Sequence, residues 1–303
     1  MATQTAVAKL NVKNEERSAG ESLTKLALRR LRRDRLTLVA LTVLGILTLL
    51  SVGAPFITDL LGVSYTRTNA DATFLPIGAP GHILGTDDLG RDHLARLLFA
   101  GQVSLSVGFL AAALSLSIGV SLGITTGYFG GVMDDFVNWL IATLTSIPQL
   151  FLLLIVAAVL SPTASTLIIV LGLLGWTGTT RLVRGETLSL REREYVVSAR
   201  AIGASPIRIM FVHILPNLFS IIVITLAIDI GTLILVEAAL SFLGLGIKPP
   251  EPSWGNMLTN AQTFFTKGAH LVVMPGLLIF ITVLCLYVIG DGIRDAFDPT
   301  AKD

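Results

Sequence analysis

Long stretches without one ionisable side chain constrain this chain more than any motif does. Residues 36–58, 97–133, 136–180 and 271–290 contain no Asp, Glu, Lys, Arg or His. About 20 apolar residues cross the hydrocarbon core of a bilayer as one helix. The 45 residues of the third run are therefore enough for two spans. A helix buried in a soluble core is shorter and keeps a polar face, and these runs have none. A membrane β-barrel would alternate in segments of about ten residues, which does not describe unbroken aliphatic runs. Helices satisfy every backbone N–H and C=O in lipid. Composition agrees: only 14% of residues are charged, against about 25% in soluble domains. The expected fold class is an all-α, multi-pass integral membrane protein with six transmembrane helices.

The first span is expected at 36–56, followed by a turn-rich polar stretch. A short helix is expected at 89–99, capped by Asp87 or Asp88, before the second span at 104–128. Pro162 divides the long charge-free run into a third and a fourth helix, and Pro148 predicts a kink or break within the third. The fifth and sixth spans fall at 218–242 and 271–289. The chain then divides into a basic tail (1–35), the first span (36–56), an extracytoplasmic loop (57–103), a core (104–291) containing a cytoplasmic segment (181–216), and a tail (292–303). The apolar run after Arg35 is too long for a cleavable signal core, so it is expected to be retained. The arginine-rich segment before residue 36 and the one at 181–213 belong in the cytoplasm by the positive-inside rule, and an even number of spans returns the C-terminus there.

Few groups within the spans invite chemistry. Asp229 and Glu237 stand eight positions apart in the fifth span, on roughly one face, where an acid faces a bundle interior, water or a polar partner. They are candidate polar positions within the membrane. Cys285 lies alone in an apolar run and carries no redox signal. His82, His93, His213 and His270 are too scattered for a zinc set. Asp87, Asp88 and Asp92 near His82 and His93 raise a nickel reading, but helix capping and hydrogen bonding explain these residues better, and no metal site is expected. No phosphate-binding loop occurs, so no cofactor is expected on this chain.

The segment REREYVVSARAIGASPIRIMFVHILPN, 191–217, is predicted to form two short helices joined by a tight bend. Gly203 ends the first in a left-handed conformation, Ser205 and Pro206 open the second as N-cap and first-turn residue, and Pro216 limits it. The segment resembles the cytoplasmic coupling motif of binding-protein-dependent ABC importer permeases, approximately Glu-Ala-Ala, three residues, Gly, nine residues, Ile, one residue, Leu-Pro. Val197, Ser198 and Ala199, then Gly203, then His213, Leu215 and Pro216 occupy those positions. Val197, Ser198 and His213 depart from the pattern, while the spacing is intact. GTDDLGRDHLARLLFAGQVSLSVG (85–108), EAALSFLGLGIKPPEPSWGNML (237–258) and DGIRDAFDP (291–299) resemble the peptide and nickel branch, with the look of its second, C-type permease subunit.

The resemblance implies the type I ABC importer permease fold with both termini cytoplasmic, in a bacterial or archaeal inner membrane. It implies one translocation route for dipeptides or oligopeptides, shared with a second permease and lined partly by helices two to five. Two ATPase subunits and an extracytoplasmic substrate-binding protein would complete the assembly; no enzymatic activity is expected on this chain. Glu194, Arg200 and Arg208 are polar candidates for the ATPase contact around Gly203. Asp88, Arg91, Asp92, Pro250 and Trp254 are candidates for the outer mouth or the binding protein. Nickel or another small solute is the alternative cargo. An autonomous ion-coupled transporter using Asp229 and Glu237 is the alternative mechanism.

Overall fold

The computed structural model describes residues 23–160 and 162–297; most of the basic tail and residues 298–303 lie outside them. The helices are α1 (Leu23–Leu31), α2 (Arg35–Val52), α3 (Ala54–Leu61), α4 (His93–Phe129), α5 (Gly131–Thr145), α6 (Gln149–Val159), α7 (Ala164–Arg191), α8 (Glu194–Ala201), α9 (Pro206–Phe242), α10 (Ala261–Lys267) and α11 (His270–Phe297). Five of them, α2, α4, α7, α9 and α11, are long and apolar enough to span a membrane. The pair α5 and α6, bent by 80° at the Pro148 break, brings the count to as many as six. Of the kink or break expected at Pro148, the structure has the break.

Two expectations change. The short helix and the second span are one continuous helix, α4, of 37 residues. No proline interrupts 93–129, so nothing stops the helix at residue 99. Its N-cap is Asp92, whose carboxylate accepts the Ala95 N–H at 2.8 Å, and not Asp87 or Asp88. Likewise Pro216 does not end the second short helix. The chain runs helically from Pro206 to Phe242, through a π-helical stretch at Ile209–Ile214 and a 3-10 stretch at Leu215–Leu218. A proline lacks the donor and crowds the carbonyl of the preceding turn; the change of helical pitch at this point lets the chain pass without stopping.

The bundle is organised on α4 and α7. Gly119, Gly123 and Gly127 form a ridge at four-residue spacing on α4, and a Cβ at these positions would stand 2.6 Å, 2.7 Å and 2.6 Å from the Cβ atoms of Thr179, Val183 and Thr187 on α7. The paired positions advance together, so the helices run parallel with their backbones nearly touching. Lipid tails are as apolar as leucine, so helices in a bilayer are held by close packing, which small residues permit. At Gly108 a Cβ would stand 2.5 Å from Ile234, which brings α9 against the other end of α4.

Contacts at the ends fix the layout. Thr37 at the start of α2 fills the space beside Gly292 near the end of α11, and Ser51 at the end of α2 lies against Gly101 near the start of α4. One end of the bundle thus gathers α1, α8 and the C-terminal ends of α4, α7 and α11; it is the arginine-rich end. The opposite end carries the loops at 62–92 and 243–269.

The 62–92 loop is built around Asp87. Its carboxylate accepts the backbone N–H groups of Leu89 and Arg91, both at 2.9 Å, and pairs with the Arg91 Nε at 2.8 Å and with Arg96. Burial works to raise the Asp87 carboxyl, but the charges of Arg96 and Arg91 and the hydrogen bonds outweigh it and hold it below its ordinary value. Gly85 and Gly90 take positive φ of 74° and 72°, and a Cβ there would stand 2.2 Å from Leu75 O and 2.0 Å from Asn69 O. The 85–92 motif is thus a folded turn whose glycines, aspartates and arginines each have a local partner.

Two outcomes follow from this packing. Gly123→Leu has no room against Val183 and the Thr180 carbonyl, and its overpacking should cost about 1–3 kcal/mol or prevent folding. Gly185→Ala on the open face of α7 should be neutral or better. Thermal unfolding of the detergent-purified proteins separates the two. Asp87→Asn removes the anion from two buried arginines, which should cost about 3 kcal/mol at neutral pH. Because the folded carboxyl sits below its unfolded value, its stabilisation is present above that value and is lost as pH falls through the folded one. The wild-type minus Asp87→Asn difference should therefore be flat from pH 8 to 5 and shrink only in stronger acid.

Candidate functional site

The 191–217 segment forms a knob on the arginine-rich end of the bundle. α8 ends at Gly203, whose φ is 87°, with its N–H bonded to the Arg200 carbonyl at 3.0 Å. Ser205 caps α9 by accepting the Arg208 N–H at 3.3 Å, with Pro206 in the first turn. The two helices and the tight bend stand where local sequence chemistry puts them. One side of the knob is fastened: Val196, Ile209, Met210 and Ile214 pack with Ile124 of α4, Val183 of α7 and Leu218. Arg200 lies over the Tyr128 ring at 5.6 Å, and Arg191 donates to the Gly127 carbonyl at 2.9 Å.

The other side is open. Glu194, Val197, Ser198, Arg200, Gly203, Ser205, Pro206, Arg208 and Pro216 are exposed, His213 and Leu215 are partly so, and Ala199 is buried beneath them. Ile202 is 87% exposed and Ile207 66%, flanking the bend. These two isoleucines escaped the sequence reading. Spacing alone did not mark them, because Ile207 precedes the buried Ile214 by seven positions, which α-helical geometry places on nearly one face.

Asp229 and Glu237 do not act together. Eight positions put them about 80° apart around the helix axis, and their surroundings differ. Glu237 is fully buried, accepting from Ser241 at 2.7 Å and from Ser104 of α4 at 3.2 Å. Ser104 in turn accepts the Trp254 backbone N–H at 3.1 Å, and Ser241 that of Ile247 at 3.3 Å. Glu237 therefore ties α9, α4 and the 243–269 loop together. Asp229 is partly exposed and accepts from Thr179 of α7 at 3.4 Å.

Of the residues expected at the outer mouth, three turn inward. Trp254 is 1% exposed and donates its ring N–H to the Leu97 carbonyl at 3.1 Å; a bulky residue in a proline-rich loop proves to be a plug between helices. Arg91 pairs with Asp87, and Asp92 caps α4 and meets His82 Nδ1 at 2.8 Å. It is His82, not His93, that bonds a carboxylate: His93 is buried edge-to-face against His270, with ring centres 5.7 Å apart, and its Nε2 has no partner among the described residues. Asp88 and Pro250 remain at the surface.

Between the knob and the mid-bundle lies a groove of about 400 Å³, lined by Ser117, Ser121 and Thr125 of α4 and by Met210, Leu215 and Ile222 of α9, among others. The three hydroxyls donate to the carbonyls one turn back at 2.7, 2.7 and 2.6 Å, so they offer the groove only acceptor lone pairs.

Comparison with known proteins agrees with this architecture. Residues 119–303 match the family described as the inner membrane component of binding-protein-dependent transport systems. Residues 22–76 match the N-terminal transmembrane domain of oligopeptide transport permease C. The chain is 37% identical over 276 residues to the dipeptide transport system permease protein DppC of Haemophilus influenzae, covering 89% of this chain and 92% of the relative. It is 35% identical over 281 residues to the oligopeptide transport system permease protein OppC of Bacillus subtilis, covering 93% and 91%. In fold it is similar to a chain of the inward-facing MetNI methionine ABC transporter, with a TM-score of 0.54 and 20% identity, over 66% of this chain and 96% of that one. A family match over more than half the sequence, on a helical bundle carrying the expected knob, shows that the chain belongs to the binding-protein-dependent transport system inner membrane components.

Proposed function

We propose that the chain is one of two permease subunits of an ATP-driven importer of dipeptides or oligopeptides. ATP and Mg are handled by separate ATPase subunits, and an extracytoplasmic binding protein delivers the substrate. The names of the relatives across about nine-tenths of the chain support the peptide cargo. The arginine-rich end, with α1 and the knob, faces the cytoplasm, and the Asp87 loop and Trp254 plug face outward.

The knob carries the ATPase assignment. Two isoleucines stand exposed on either side of a rigid bend at the end of the bundle where arginines gather. Apolar side chains presented at a polar surface mark an interaction site, and a partner groove over Ile202 and Ile207 would bury both. The fastened side of the knob is continuous with the packed ends of α4 and α7, so a displacement of the partner moves the two central helices. A groove whose hydroxyls are already bonded clamps no particular side chain, which suits peptides of varied sequence.

Two sets of variants test the reading in proteoliposomes holding the full transporter. Ile202→Asp with Ile207→Asp should leave insertion unchanged, because both side chains are clear of the bundle, and should lower retention of the ATPase subunits at least tenfold. Gly203→Val meets no neighbour within 4 Å of its Cβ, so its effect is conformational: about 1–3 kcal/mol of strain at positive φ. It should reduce ATPase retention or separate hydrolysis from uptake, while Gly203→Asn, which tolerates that conformation, stays closer to wild type. Wild-type retention, hydrolysis and uptake in both the double-Asp and the Gly203→Val proteins would remove the knob from the coupling role.

A further inference from the structure

Asp229 has no structural duty comparable with that of Glu237. Among the described residues its hydrogen-bond partner is the Thr179 hydroxyl at a long 3.4 Å, and it remains partly open. An acid midway along a span does not face hydrocarbon; it faces water, protein or a polar partner. Its position on α9 indicates which. Leu215 and Ile222 line the groove beside Ser117, Ser121 and Thr125, and Asp229 follows Ile222 by seven positions. Seven residues of α-helix return to within about 20° of the same face, roughly 10 Å further along. The groove-lining stripe of α9 therefore continues, two turns deeper into the bundle, to a carboxylate. Thr179, on the face of α7 that touches the glycine ridge, orients this carboxylate from behind. Neither lysine, arginine nor histidine occurs within α9 from residue 219 to residue 242, so no cation of that segment satisfies it.

We propose that Asp229 is a water-facing carboxylate on the translocation path, where it binds transiently the N-terminal ammonium of the passing peptide. The inference rests on the permease reading. It assigns a carboxylate of the path to the one positive group that every unmodified peptide carries, whatever its side chains. The groove hydroxyls, with their protons committed, supply only acceptors along the approach, which suits the same donor. The pairing is weak because the path is wet, and weakness is what passage requires.

The test uses the assembled transporter in vesicles, with Cys285→Ala as background. Thr225→Cys, one turn before Asp229 on the same side of α9, is exposed to small methanethiosulfonates bearing either an ammonium or a sulfonate group, in nucleotide-free and ATP-bound states. Phe280→Cys, on the 61% exposed outer side of α11, is the lipid-facing control. Thr225→Cys should be modified in at least one state, faster by the cation, while Phe280→Cys stays unmodified. Asp229→Asn in the Thr225→Cys protein should lower the cation-to-anion rate ratio about fivefold, and Asp229→Glu should restore it. Peptide uptake per ATP hydrolysed should fall about fivefold in Asp229→Asn and recover in Asp229→Glu, with assembly unchanged. No modification in any state means that the second permease covers this face and overturns the proposal. Modification without a change in charge preference, or wild-type uptake in Asp229→Asn, overturns the ammonium site. Failure of the unaltered chain to recover ATPase subunits would instead count against the permease reading itself.

Discussion

Everything in this bundle hangs on the close approach of α4 and α7. Inside a bilayer there is no hydrophobic gain from joining two apolar helices, because lipid solvates their side chains as well as a neighbour does. What remains is dispersion at short range, which needs backbones near enough for many atoms to touch. Gly119, Gly123 and Gly127 remove the side chains that would keep the helices apart, and Thr179, Val183 and Thr187 fill the room. Thr179 and Thr187 sit in that contact without cost: Thr187 returns its hydroxyl proton to the Val183 carbonyl at 2.7 Å, and Thr179 turns its own to Asp229. The knob packs on these two helices, α4 forms one wall of the groove, and Thr179 of α7 meets Asp229.

Polar groups then act as joints, where the surroundings make an unmet hydrogen bond expensive. Glu237 with Ser104, Ser241 and the Trp254 backbone fixes the loop at 243–269 to α4 and α9. Asp87 with Arg91 and Arg96 fixes the 62–92 loop to the first turn of α4. Both joints hold a loop to the same helix, the 62–92 loop directly before it in sequence and the 243–269 loop from far along the chain. An acid within a span of a transport protein therefore has two physical uses, and hydrogen-bond saturation distinguishes them: Glu237 has both oxygens occupied by short or moderate bonds within the chain, and Asp229 has one long one.

The spans were legible because charge-free runs leave a membrane protein few choices. The bend was legible because Gly203, Ser205 and Pro206 each carry a local conformational preference that no tertiary contact opposes; the Cβ space at Gly203 is empty. Where tertiary structure competes with local chemistry the reading failed. Pro216 looked like a helix end, but the π-helical turn at Ile209–Ile214 carries α9 through it, and nothing in local propensity announces such a turn. Trp254 is a candidate for the outer mouth or the binding protein in sequence, yet the space left by Gly101 on α4 takes its ring inward, with Trp254 Cζ2 3.0 Å from where a Cβ would be. The Gly119, Gly123, Gly127 spacing was readable from sequence alone, since four-residue repeats of glycine in an apolar run mark a helix contact; its partner helix was not.

The two kinds of glycine show how stiffness is distributed. On α4 glycine is selected by contact: any side chain collides, so the ridge is rigid and the two helices move as one body. At Gly203 glycine is selected by dihedral angle: there is space for a side chain, but φ of 87° strains one. A bend held by its own backbone keeps its shape whether or not a partner covers it, and the cluster of Val196, Ile209 and Ile214 fixes its angle to the bundle. A push on such a bend is not absorbed by local unfolding, because no flexible linker separates it from α4 and α7. In the proposed coupling role it would pass to α4 and α9, and the wide π-helical turn immediately beyond the bend, at Ile209–Ile214, is where the ladder of hydrogen bonds in α9 departs from the α-helical register.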